Sequence, residues 1–132
     1  MPASPVLVDS SWYITTAKTG GNPLAMLRSI AHARDVAICG VVRCEVARGL
    51  RNEAALREFR AAWDVMLYVA TDNKLWQEIE GMVWHLDRKV GGALPLADII
   101  IAACARRIGA VVLTFDKHFA SIPGIVAIDR IV

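Results

Sequence analysis

At 132 residues the chain has room for one domain and not two, and residues 1–132 are read as a single unit. A composition that is 55% hydrophobic and only 21% charged excludes a disordered chain, and a core of that size needs no disulfides to hold it. The net charge of +2, from 15 basic and 13 acidic side chains, excludes a strongly basic nucleic-acid coat, so the placement of charges matters more than their sum.

Pro5-Val6-Leu7-Val8 is a short apolar run that stops at Asp9-Ser10-Ser11. It predicts a buried strand followed by a turn or a helix start. Gly20-Gly21-Asn22-Pro23 predicts a loop, and residues 24–34 a helix with Leu24, Leu27 and Ile30 in one stripe. A second buried strand is expected over 36–39, broken by Gly40, with helical character over 41–50. Asn52 is placed to cap a helix over 53–65. Val69-Ala70 predicts a very short strand.

Thr71 or Asp72 should cap a long helix over 73–90 that stops at Gly91-Gly92. Pro95 suits the first turn of a helix over 96–108, which is apolar nearly all round and so deeply packed. Gly109 ends it. A third strand is expected over 110–114 and a last one over 125–128. Strands alternating with helices imply an α/β fold, a mostly parallel sheet covered on both faces. Ligands bind such sheets beyond the carboxyl ends of the strands.

Two function classes fall away on simple grounds. Cys39, Cys44 and Cys104 form no CxxC pair and have no histidine close in sequence, which argues against a zinc site or a disulfide framework and for buried thiols in a reducing cytoplasm. The first basic residue is Lys18 and Asp9 interrupts the early apolar stretch, so no signal peptide is expected. The longest apolar run, residues 99–105, is far short of the roughly 20 residues of a membrane helix. The expected protein is soluble and cytoplasmic.

Most of the acids sit among polar neighbours and read as solvated faces, with Asp72 as a helix cap. Four do not. Asp9 follows the first strand and Asp116 comes two residues after Thr114, so both fall at the carboxyl edge of the sheet. Glu45 lies in the first helix after the second strand, near the same edge. Asp98 lies inside an apolar stretch, where a charge is costly unless paired or bound to metal. Each alone has an ordinary reading, as a cap for Asp9, Asp98 and Asp116 and as a surface residue for Glu45. Two carboxylates 4 Å apart repel by roughly 4 kcal/mol at an effective dielectric near 20. No lysine or arginine is placed in sequence to pair with each acid. A divalent ion is the simpler partner, and all-oxygen ligands select Mg2+ or Mn2+. Such a cluster suits phosphodiester hydrolysis by metal-activated water.

Four segments carry a family resemblance: residues 6–11 around Asp9, 42–50 around Glu45, 96–103 around Asp98, and Leu113-Thr114-Phe115-Asp116-Lys117-His118-Phe119. In order and spacing they resemble the PIN domain, and in particular the VapC-type toxins of toxin–antitoxin pairs. The resemblance implies a three-layer α/β/α sandwich and a magnesium- or manganese-dependent endoribonuclease. It implies that Asp9, Asp98 and Asp116 are metal ligands and that Glu45 binds metal directly or through water. Ser10 and Thr114 match polar positions beside the site. Phe115 stands where the family often carries arginine or asparagine.

The resemblance also implies an RNA substrate, a homodimer, and a cognate antitoxin that covers an apolar groove and blocks the site. Trp12, Tyr13, Trp63, Met66, Trp76 and Trp84 are candidates for such surfaces, although aromatics at helical spacing more often belong to the core. His118 reads first as a scaffold position and second as a ligand or acid. Arg43, Arg48, Arg51, Arg106, Arg107 and Lys117 are candidate phosphate contacts, Lys117 foremost because it adjoins an acid. Two other readings compete. One is a binding module that acts through an antitoxin complex with a vestigial acid cluster. The other is an aspartyl phosphotransfer enzyme, which wants a second aspartate where Ser11 stands.

Overall fold

The computed structural model describes residues 3–89 and 94–131. Strand β1 (Val6–Val8) leads into helices α1 (Ser10–Lys18) and α2 (Pro23–Ala31), then β2 (Val36–Cys39) into α3 (Gly40–Ala47) and α4 (Glu53–Asp64). Strand β3 (Leu67–Val69) is followed by α5 (Asn73–Lys89) and α6 (Leu96–Ile108), then β4 (Val111–Leu113), a 3-10 helix (Lys117–Ser121) and β5 (Ala127–Ile128). The five strands form one sheet in the order β3-β2-β1-β4-β5, and every pairing is parallel. The expected α/β sandwich is present, and its sheet is wholly rather than mostly parallel.

Successive strand residues point to opposite faces. Every residue of β1 and β2 is buried, so both faces of the sheet are covered by helices. Helix α6 supplies much of that cover. Eight consecutive residues, Asp98 to Ala105, are buried, as its all-round apolar sequence predicts. It ends at Gly109, whose φ of 65° is the left-handed conformation that lets Ala110 N–H bond back to the Ala105 carbonyl.

Local signals set most boundaries. Asn52 accepts from Ala55 N–H and Asp72 from Leu75 N–H, as N-caps do. Asn22 accepts from Ala25 N–H, and the helix it caps begins at Pro23 and stops at Ala31, short of the expected 34. Pro95 is the N-cap of α6 rather than a first-turn residue, its backbone still extended. Strand β3 begins two residues earlier than expected and ends one earlier, paired to β2 through Ala37↔Leu67 and Cys39↔Val69. The expected stop of α5 at Gly91-Gly92 lies outside the described residues.

Helix α1 was legible only as a turn or helix start, because Ile14, Thr15 and Thr16 are poor helix formers. Burial of Trp12, Tyr13 and Thr16 carries it instead. Tyr13, Phe59 and Trp63 pack as an aromatic cluster, with ring centroids 6.3 Å apart for Tyr13–Trp63 and 5.4 Å for Phe59–Trp63. Trp63 Nε1 donates to the Tyr13 hydroxyl, and burial pushes that phenol's pKa up. Trp12, Tyr13 and Trp63 are therefore core, whereas Trp76 and Trp84 are exposed on α5. Among the described residues no helix is long and apolar enough to cross a membrane.

Trp63→Ala should destabilise the fold by about 3–5 kcal/mol, because it empties the centre of this cluster. Urea denaturation measures this directly. A loss under 1 kcal/mol would mean that α4 is not packed as described.

Candidate metal centre

The register of the sheet builds the site. β1 pairs with β4 through Val6↔Val111 and Val8↔Leu113, so Asp9 emerges level with Thr114. Asp9 N–H still donates to the Leu113 carbonyl at 2.9 Å. Both residues therefore stand at the carboxyl edge, where β1 is flanked by β2 on one side and β4 on the other and the strand order reverses. Helix α3 starts directly after β2 and carries Glu45, and the first turn of α6 carries Asp98.

Asp9 is 1% exposed, and hydroxyls satisfy its carboxylate. Ser11 Oγ donates to Asp9 Oδ2 at 2.7 Å and Thr114 Oγ1 donates to the same oxygen at 2.8 Å. Each hydroxyl in turn accepts from backbone beyond β4: Ser11 Oγ from Phe115 N–H and Thr114 Oγ1 from Asp116 N–H. The other carboxylate oxygen, Asp9 Oδ1, has Ser10 Oγ at 3.4 Å, and Ser10 Oγ lies closer to Glu45 Oε1, at 3.0 Å. Ser10 thus links the first acid to the second.

Asp98 and Asp116 meet on His118. Its Nδ1 is 2.9 Å from Asp98 Oδ2 and 2.9 Å from Asp116 Oδ1. Asp116 Oδ1 also accepts from His118 N–H and so caps the 3-10 helix. Burial pushes the Asp98 carboxyl up to about 6; the His118 hydrogen bond opposes this, while the charges of Asp116 and Asp9 add to it. The Asp98 contact raises the His118 pKa in return. Among the described residues every buried side-chain polar atom has a hydrogen-bond partner.

All four sequence-predicted acids, Asp9, Glu45, Asp98 and Asp116, line one cleft of about 370 Å³, together with Ser10, Ser11 and Pro95. They do not form one knot. Asp9 and Glu45 are bridged by Ser10, while the tight cluster of ligand atoms, within 4.8 Å of one another, is Asp98, Asp116 and His118. The cap reading of Asp116 and its place in the site are both true. Asp9 and Asp98 make no cap hydrogen bond.

One expectation is corrected: of the three cysteines read as buried thiols, Cys39 and Cys104 are buried and Cys44 is exposed. The acids also have a titratable neighbour that is neither lysine nor arginine, the His118 ring. Ser11 belongs to the network as firmly as Ser10 and Thr114; its signal was a hydroxyl two residues after Asp9, on the first turn of a helix. Of the candidate phosphate contacts, Arg43 is paired with Asp64 and Arg107 with Asp72. Lys117 is exposed beside Asp116.

A donor set of four carboxylates on one cleft, one of them buried and pushed towards its protonated form by its neighbours, fits a hard divalent cation. Solved structures share the fold. A DNA-bound VapBC complex from Salmonella typhimurium aligns at a TM-score of 0.75 and 22% identity over 96% of this chain and 98% of that one. A toxin–antitoxin complex from Klebsiella pneumoniae aligns at 0.66 and 25% over 92% and 95%. The sarcin-ricin loop cleaving toxin VapC20 of Mycobacterium tuberculosis aligns at 0.65 and 18% over 92% and 96%. No curated protein sequence matches the chain. The model of the PIN domain matches residues 6–125, the stretch that holds the first four strands and every acid of the cleft, and the chain belongs to the PIN-domain family.

Proposed function

We propose that this protein is a metal-dependent endoribonuclease, the toxin of a toxin–antitoxin pair. One observation carries the reading: the four acids of a PIN domain, distant in sequence, line a single cleft at the carboxyl edge of the sheet. The likeness in fold to toxin–antitoxin complexes, one of whose relatives cleaves the sarcin-ricin loop, supports RNA as the substrate and an antitoxin as partner. On this reading residues 1–132 are one nuclease domain that works in the cytoplasm, as a homodimer.

Mg2+ or Mn2+, when bound, would supply the activated water and neutralise charge on the phosphate. The chain's own residues do the rest. Asp98, Asp116 and Asp9 would hold the ion. Ser11 and Thr114 occupy Asp9 Oδ2, which leaves Oδ1 turned to the Ser10 and Glu45 side of the cleft. Glu45, half-buried and bridged through Ser10, orients water or a second ligand there. Exposed Lys117, next in sequence to Asp116, would contact a phosphate of the RNA.

Asp98→Asn keeps the shape and removes the charge, so cleavage of total RNA in the presence of Mg2+ or Mn2+ should fall by at least about 100-fold. Equal cutting by the variant would remove Asp98 from the site. Thr114→Val deprives Asp9 Oδ2 of one of its two donors, and divalent-ion affinity by calorimetry should drop about 10–100-fold. An unchanged affinity would make the hydroxyl a bystander. Proton and ion compete for Asp98, whose carboxyl titrates at about 6. Affinity should therefore be full above that pH and decline as pH falls through it. Titrations at pH 7.5 and pH 5 that give the same affinity would contradict this.

A further inference from the structure

Two acids of the cleft, Asp98 and Asp116, share a compact group of donor atoms with a nitrogen at the cleft's edge. Asp98, Asp116 and His118 each present one ligand atom, all within 4.8 Å of one another. Donors on adjacent corners of an octahedral ion with bonds of about 2.1 Å lie roughly 3 Å apart. His118 Nδ1 already stands at that separation, 2.9 Å, from both carboxylates.

The ring does not reach the site from a loose arm. His118 N–H is fixed by Asp116 Oδ1, and the next residue, Phe119, is completely buried and anchors the 3-10 helix. The same carboxylate therefore sets both its own position and that of the imidazole. The side chain is about half-exposed, at 48%, which leaves the ring able to carry its proton on Nε2 against water while Nδ1 faces the acids.

We propose that His118 is a nitrogen ligand of the ion held by Asp98 and Asp116, and that it biases the site towards first-row transition ions over Mg2+. The proposal rests on the metal-dependent nuclease reading. Mg2+ keeps oxygen ligands and water, whereas an imidazole nitrogen favours the transition ions of the series. Four carboxylates alone would express a weaker preference. Exchanging one donor from oxygen to nitrogen makes the choice of ion a property of His118.

Mn2+ is the probe, because its unpaired electrons report directly on coordinated nitrogen. Pulsed EPR of the wild-type protein loaded with Mn2+ should show nitrogen coupling that His118→Ala abolishes. Calorimetry with Mn2+ and with Mg2+ should show the ratio of the two affinities falling by at least about tenfold in His118→Ala and His118→Asn. The ring is half-exposed, and thermal melts of both variants check that they fold. Mn2+ bound by the wild type without nitrogen coupling would overturn the proposal and leave the nuclease reading intact. So would an affinity ratio that stays level, or Mn2+ affinity that rises when the ring is removed, since His118 would then be a competing cation. Failure of the wild type to bind either ion at millimolar concentration would overturn the nuclease reading and this proposal with it.

Discussion

Asp9 Oδ2 accepts two hydroxyl hydrogen bonds, at 2.7 Å from Ser11 and 2.8 Å from Thr114, and the site is organised from that oxygen. One donor sits on the first turn of α1 and the other directly follows β4. Each then accepts from the backbone of the segment that leads to Asp116. The position of the first acid is thereby transmitted to the last through two hydroxyls and two peptide N–H groups. A hydrogen bond to a charged group is worth about 1.5–3 kcal/mol, and a buried carboxylate without one is costly, so this clamp is both a condition of burying Asp9 and the device that aims Asp116.

The clamp depends on parallel pairing in the correct register. A slip of one residue between β1 and β4 would turn Asp9 to the opposite face and separate it from Thr114. Both faces of the central strands are packed, so such a slip would also drive Leu7 and Val112 into packing positions shaped for other side chains and is strongly disfavoured. The core thus protects the geometry of the acids. Helix α6 does the same from above the sheet: its fully apolar run forces Asp98 inward because every neighbour from Ile99 to Ala105 is buried.

Charge then sets the chemistry. Burial and two neighbouring carboxylates raise Asp98, and His118 offsets part of that cost through a single ring nitrogen shared between Asp98 and Asp116. An ion in the cleft would relieve the same repulsion more completely. Asp98 in particular is left only partly compensated by its neighbours, and a hard cation is the partner that carboxylate oxygens suit.

The alternation of apolar runs with amphipathic stretches determined the class of fold, since only a parallel sheet covered on both faces buries strands such as Val6-Leu7-Val8 on both sides. It also placed Asp9 and Asp116 at strand ends, Asp98 in an apolar helix and Glu45 in the helix after β2, because those are local facts. Helix α1 was half-hidden, since its β-branched residues are held by tertiary burial rather than propensity. The register of β3, the clamp of Ser11 and Thr114 on Asp9, the Ser10 bridge to Glu45 and the meeting of Asp98 with His118 were decided only by the tertiary structure. These contacts join residues 105, 35 and 20 positions apart, and no local pattern encodes a distance across the edge of a sheet.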